Sequence, residues 1–446
     1  MHVGVPRQGS GGLIRTLVLL LCASALAPAP SRADEPRFGD STWVAPGDGT
    51  TTSPTAPGPR VAEPDHERTW ETVLRTPFRV AFFPLRLVTL GFEASGPLVE
   101  RLVPPSRQIG ATSTRRGLHV GPAFSYSGAA GPGAGLAINS PGMLGPGSTV
   151  GLTGTWSLRD SRRARFRALT EGRIGFGLEG VYDYRPNRRF YGLGNESPSE
   201  RTVYLRRDET GTAYAFLGPK PLRRLRASVG LSDIKIGGGY NDSPLAENVF
   251  TESEVPFLTR SSRAWWYGPA LDLAALNDSL NPSLGAHLRT EARRIKSTHD
   301  DFEFDSWRVE GRTYLPVFAD YRVLALRLVY EGADPRGGSG PIPFYRLPTA
   351  IDADRFIAYK QGRYVDQRLA LAHVEYRWLL LRNFWAAAIA QWGEVASSTD
   401  ELTLRHTHHS YGGGLRMHTG AAHTARLDVA TGEDGLNVYL DLKGDF

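Results

Sequence analysis

The chain ends in a strict alternation. In Leu436–Phe446 every even position is apolar or glycine and every odd position is polar or tyrosine. A pleated strand sends those two sets to opposite faces. The run also has the length that a tilted strand needs to cross a bilayer, about 9–11 residues. The same period recurs upstream. Ile174, Phe176, Leu178, Tyr182 and Tyr184 oppose Arg173, Glu179 and Asp183, and Leu284, Ala286, Leu288 and Ala292 oppose His287, Arg289, Glu291 and Arg293. Trp307, Val309, Thr313 and Leu315 oppose Arg308, Glu310, Arg312 and Tyr314, and Ala370, Ala372, Val374, Tyr376 and Trp378 oppose His373, Glu375 and Arg377.

Such segments begin near residues 117, 132, 148, 163, 173, 203, 222, 262, 284, 303, 320, 365, 382, 406, 422 and 436. Sixteen is an even count, as single-chain bacterial barrels require. Connections after even strands are brief, for example 170–172 and 379–381, whereas Pro186–Thr202, Gly238–Ser261 and Glu331–Tyr364 follow odd strands and are long. Short periplasmic turns and long outer loops give that asymmetry, and both termini then lie in the periplasm. A soluble β-sandwich is the competing architecture. The length of the strands argues against it, as do Tyr376, Trp378, Trp265 and Trp266, placed near strand ends where interfacial girdles form. The expected fold is therefore all-β, a sixteen-stranded antiparallel transmembrane barrel over residues 117–446.

The N-terminal quarter reads differently. Arg7 and Arg15 precede a short apolar run from Leu17, and Ser31-Arg32-Ala33 offers small residues for a signal peptidase, so residues 1–33 read as a signal peptide. Its apolar run is too short to span a bilayer. Residues 34–65, rich in Pro, Gly, Ser and Thr, read as a disordered tether. Residues 66–110 read as a periplasmic amphipathic or helical segment broken near Pro84. It would lie at the interface or the lumen, or pack on the barrel rim.

Composition closes several functional classes. Cys22, inside the signal, is the only cysteine, so the mature chain has no disulfide and no thiolate metal site. The formal charge of +6 loses Arg7, Arg15 and Arg32 with the signal, and the remainder does not suggest nucleic-acid binding. Gly337-Gly338-Ser339-Gly340 lacks the last glycine of a nucleophile elbow, and His66-Glu67 is followed by Trp70 where a zincin needs histidine. No catalytic residue, cofactor or metal site is expected. His406 and His408 share a strand face and Asp300, Asp301, Glu303 and Asp305 crowd one loop, but both groups read as solvated loop edges. A lipid hydrolase would need a Ser-His pair on the lipid-facing wall, and His287 and His373 face inward.

The charges opposite the apolar face have a clear destination. Glu179, Arg289, Glu291, Arg308, Glu310, Arg312, Glu375 and Arg377 are all expected to line the lumen, pairing across neighbouring strands. They read as a stiffening lattice, a pore lining or a docking surface for a loop.

Three stretches carry a resemblance. They are Arg189-Phe190-Tyr191-Gly192-Leu193-Gly194-Asn195-Glu196-Ser197; Ile342–Pro348 running on to Gly362–Arg368 and Glu375–Trp378; and Arg426-Leu427-Asp428-Val429-Ala430 before the final Phe446. In this order and spacing, over about the last three-quarters of the chain, they resemble the BamA/TamA-like family of outer-membrane barrels, also called bacterial surface antigens. The resemblance implies that the sixth loop, after the eleventh strand, folds into the lumen through a Val-Arg-Gly-Phe-like tip whose arginine meets an acid on the inner wall. The matching positions are Phe356, Ile357, Ala358 and Tyr359, followed by Gly362, Arg363 and Asp366. Ile357 stands in the arginine's place, with Arg355 and Lys360 nearby but out of register. The resemblance also implies that Leu440, Leu442 and Phe446 form the signal read by the barrel-assembly machinery, making this chain its client. No segment before the barrel has the patterning of a POTRA module. The expected function is non-enzymatic: assembly or translocation of unfolded outer-membrane or exported clients among outer-membrane lipids, through the seam between Gly117–Ser127 and Leu436–Phe446. The rival is a passive pore.

Overall fold

The computed structural model describes residues 117–441, apart from 128–130, 171, 221–222, 241–242, 279–280, 351–355, 382–383, 404 and 420–422. The signal, the tether, the segment 66–110, Leu442 and Phe446 lie outside the described residues.

Sixteen antiparallel strands follow one another in one sheet, each paired with its neighbours in sequence. They are β1 (His119–Ser127), β2 (Gly131–Pro141), β3 (Ser148–Ser157), β4 (Arg162–Thr170), β5 (Ile174–Phe190), β6 (Thr202–Lys220), β7 (Arg223–Gly238) and β8 (Ser262–Leu276). There follow β9 (Gly285–Ser297), β10 (Glu303–Val317), β11 (Ala319–Pro335), β12 (Arg368–Leu381), β13 (Phe384–Ala396), β14 (His408–Thr419), β15 (His423–Gly432) and β16 (Gly435–Asp441). Every strand begins within three residues of the position set by the alternation. The only described α-helix, α1 (Ala246–Val249), is a single turn between β7 and β8. Among the described residues no helix is long and apolar enough to cross a membrane. The chain is a sixteen-stranded antiparallel transmembrane barrel.

Register divides each strand into two faces. Leu136, Leu152, Phe176, Leu178, Val229 and Leu231 point outward and are exposed, a greasy surface without protein cover. That is the arrangement of a lipid-facing belt, not of a soluble core. On the other face Glu310, His373, Glu375, Gln391 and Asp428 are buried. One expectation fails here. Trp266 turns inward and is buried, while Trp265 is outward and stacks on Tyr267 at 5.5 Å. Adjacent residues of a pleated strand cannot share a face, and Gly230 opposite leaves the space that the Trp266 indole fills.

Several strands run past the bilayer at the end bearing the long loops. β5 continues through Pro186 to Phe190, ground expected to be loop, because a bulge between Arg185 and Arg188 absorbs the irregularity. β11 likewise reaches Pro335. These extensions and two loops build an apolar dome at that mouth. Phe190, Tyr204, Ile234, Trp266, Ile295 and Phe304 come from the strands, Val255, Phe257 and Leu258 from the β7–β8 loop, and Ile342, Phe344 and Tyr345 from the β11–β12 loop.

Candidate functional site

The β11–β12 connection is the sixth of those that follow odd-numbered strands, and it enters the barrel. Its descending limb is anchored by the 3-10 turn Phe344–Arg346. The Phe344 ring packs on Phe190 at 4.7 Å and on Tyr204 at 5.1 Å. The Tyr345 hydroxyl donates to the Arg260 carbonyl at 3.0 Å, and Arg206 donates to the Tyr345 carbonyl at 2.8 Å. Arg346 donates to the hydroxyls of Ser262 at 3.1 Å and Ser232 at 3.0 Å, and burial pushes its guanidinium down to about 10.

The tip is dry. Phe356, Ile357, Ala358 and Tyr359 are all buried, with Phe356 stacked on Tyr359 at 4.4 Å. The Ile357 N–H donates to Gln391 Oε1 on β13 at 2.9 Å. The Asn437 amide of β16 donates to the Ala358 carbonyl. The Tyr359 hydroxyl donates to the His409 carbonyl at 2.8 Å, and the Lys360 N–H donates to Asp434 at 3.1 Å. Burial pushes the Tyr359 phenol up to about 12.

The ascending limb stays against the β15–β16 turn and the start of β14. Arg363 forms an ion pair with Asp434 in the β15–β16 turn and donates to the Ser197 carbonyl at 3.3 Å. Tyr364 stacks on His408 at 3.8 Å and donates to Glu433 at 3.2 Å, and burial raises its phenol above the ordinary value. The Gly194 N–H donates to the Val365 carbonyl at 2.9 Å. Gly362 takes φ +90°, and an added Cβ would lie 2.1 Å from the Arg189 carbonyl oxygen. Asp366 is partly buried, which raises its carboxyl above the usual range, and it accepts from its neighbour Gln367 N–H at 2.7 Å. One loop thus touches β7 and β8 through Arg346, β13 and β16 through its tip, and the β5–β6 connection through its return.

The stretch 189–197 forms the dock. Tyr191 is fully buried. The Asn195 side chain donates to the His406 carbonyl at 2.6 Å and accepts from the Val395 N–H at 3.1 Å. His408 reaches Glu433 at 2.9 Å and the Asn195 carbonyl at 2.9 Å, so it serves loop docking.

A buried ion network lies on the wall beside the tip. Gln391 contacts His373 at 3.3 Å. Glu375 accepts from Arg377 and Arg416, each at 2.6 Å, and Arg416 and Arg426 both pair with Asp428. On β10, Glu310 gathers Arg327 and Arg312, each at 2.8 Å, together with Arg308. Arg289 stands directly opposite Glu310 on β9, and Glu291 pairs with Arg293 at 2.5 Å and Arg226 at 3.3 Å. Glu179 pairs with Arg165 at 2.7 Å. His287 meets Asp272 at 2.8 Å on the same inner face. The acidic loop closes on itself instead of opening a cage: Asp305 pairs with Arg294 at 2.9 Å and Arg336 at 2.8 Å, and Asp300 accepts from Ser297 at 3.2 Å.

Sequence reasoning did not single out Gln391, Arg416 or Asp434. Gln391 and Arg416 share the inward parity of their strands, a signal that was available, whereas Asp434 sits in a two-residue turn and carries none. Leu440 pairs with Leu427 in β16.

No protein-family model and no curated protein matches the chain. Among solved structures, BamA from Haemophilus ducreyi lacking POTRA domains 1–3 is similar at 13% identity and a TM-score of 0.55, over 73% of this chain and 69% of that one. CdiB from Escherichia coli aligns at 13% identity with a TM-score of 0.48, and CdiB from Acinetobacter baumannii at 11% with 0.46. The chain spans 62% and 59% of those two. With its sixteen strands in sequential order and its likeness to BamA, the chain has the fold of the BamA/TamA-like outer-membrane barrels.

Proposed function

We propose that the chain is a non-enzymatic outer-membrane barrel that assists the assembly or translocation of other chains. The long loops would face outward and both termini the periplasm. The observation that carries this reading is the docked sixth loop, held at the tip by Gln391 and Asn437 and at its return by Asp434. A loop anchored to β7 and β8 through Arg346 and to the β13–β16 wall through its tip and return braces the barrel beside its last strands, which suits a barrel that works through its seam. An edge strand there offers unpaired backbone groups to an incoming strand.

The reading is tested in liposomes holding the purified chain and an urea-unfolded outer-membrane barrel client. The client is expected to become protease-resistant several-fold faster than in empty liposomes, and an unchanged rate overturns assembly. The passive-pore reading predicts large, steady conductance in planar bilayers, which a docked loop opposes.

A further inference from the structure

One row of side chains on the outer surface is unlike the rest of that surface. Trp156 pairs with Arg162, Arg162 with Tyr184, Tyr184 with Arg207 and Arg207 with Lys235, across β3, β4, β5, β6 and β7. Directly paired residues share a face, and this face is the outward one, shared with Leu152, Leu178, Leu217 and Leu231. The Arg162 guanidinium lies 4.8 Å from the Trp156 ring and 5.7 Å from the Tyr184 ring.

The row's height is informative. From Leu225 to Lys235 on β7, and from Leu217 to Arg207 on β6, the chain advances ten residues. At about 3.3 Å per residue and the usual barrel tilt, that is a rise of about 25 Å, the height of the apolar band of a membrane barrel. The intervening outward residues are uncharged until Glu209 and Asp233. Arg207 and Lys235 therefore stand at the upper margin of the band, where lipid headgroups begin and where tryptophan and tyrosine concentrate.

The cations there are only loosely committed. Lys235 is exposed and has no ion pair among the described residues. Arg207 pairs with Glu209 at 2.7 Å, but its Nε is buried without a hydrogen-bond partner. Arg162 pairs with Asp160 at 2.9 Å, both half-exposed, and Asp233 is taken by Arg263 at 2.7 Å. Exposed pairs of this kind hold weakly and yield to a multivalent anion. Neighbouring strands are about 4.8 Å apart, so Arg207 and Lys235 can grip one phosphate from two sides.

We propose that the row Trp156, Arg162, Tyr184, Arg207 and Lys235 is a binding site for the phosphorylated headgroup of a membrane lipid in the leaflet at the long-loop end. The arginines and the lysine take the phosphate, and the two rings seat the lipid at the interface.

Native mass spectrometry of the detergent-solubilised chain with equal amounts of phosphatidic acid and phosphatidylcholine tests this. Phosphatidic acid is expected to be retained preferentially, and Arg207→Gln with Lys235→Gln to lower that preference by about fivefold per cation removed. Arg207→Lys with Lys235→Arg keeps it. Equal retention of the two lipids, or a preference unchanged in the double variant, overturns the proposal. Loss of phosphatidic acid to an equal concentration of inorganic phosphate also overturns it, because the site would then take the free anion. If the double variant fails the heat-modifiable migration of a folded barrel, Lys235→Gln alone carries the test, since Lys235 is exposed and supports no packing.

Discussion

Arg363 and Asp434 are joined by an ion pair that ties the returning limb of the sixth loop to the β15–β16 turn, with the carboxylate side chain only 3% exposed. Removing one partner of a buried pair strands the other charge and costs about 3–5 kcal/mol. Asp434→Asn is therefore expected to release the loop while leaving the strands intact. Limited proteolysis at 356–367 is expected to speed up at least tenfold, with heat-modifiable migration retained. Unchanged protection would show that the loop is held elsewhere.

Gly362 gives an independent handle on the same limb. Alanine there meets about 1–3 kcal/mol of backbone strain at φ +90°, and its Cβ collides with the Arg189 carbonyl. Gly362→Ala is expected to expose the loop as strongly as Asp434→Asn, through shape and not charge. High salt should leave the Gly362→Ala phenotype unaltered.

Alkali should loosen the tip. Tyr359 titrates near 12 when docked, above the ordinary tyrosine value of about 10, because burial disfavours the phenolate. Its contribution is complete below pH 10 and is lost as pH rises toward 12, where the undocked phenol ionises first. Tyr364 shifts in the same direction for the same reason. The double variant Tyr359→Phe, Tyr364→Phe is expected to be less stable at pH 8, by about 1 kcal/mol for each hydrogen bond removed. Its loop protection should then vary less between pH 9 and 12 than that of the parent.

Glu375 is the hinge of the wall network, accepting from Arg377 and Arg416 in a fully buried position. Glu375→Gln leaves two guanidiniums without their shared anion and is expected to destabilise the barrel by about 3–5 kcal/mol, seen as lower urea resistance in micelles. Resistance equal to the parent's would mean that the network contributes little.

The lipid face can be probed at Val229, half-exposed within the outward belt. Val229→Arg is expected to cost about 2–4 kcal/mol, measured by urea titration in vesicles.

Much of this fold is visible in period-two patterning because register is obligatory: a slip of one residue would put Glu375 and Arg377 in lipid and Val374 and Tyr376 in the lumen. That constraint placed all sixteen strand starts. It also gave the inward set, since a charged side chain has few other places to go. The docked loop was less legible. Ile357 gave no sign of a lumen contact, because its contribution is a backbone N–H received by Gln391, and any residue but proline could supply it. The anchoring charge appears six residues later, at Arg363, and its partner Asp434 lies in a turn where alternation says nothing. Trp266 was misplaced for a simpler reason: aromatic character outweighed parity, though parity is the stronger rule on a strand.

The dome at the long-loop mouth sets the manner in which this barrel can open. Phe257 packs edge-on against Phe302 and Phe344 lies tilted against Phe190 within one continuous core, and the Phe344 N–H donates to the Pro256 carbonyl of the β7–β8 loop at 3.1 Å. The β7–β8 loop and the sixth loop bury their rings in a core they share with the strand extensions, so each helps to shelter the other from water. Lifting either loop exposes rings that the other helps to cover. Opening the mouth therefore carries the cost of wetting rings from both loops and from the strand extensions together.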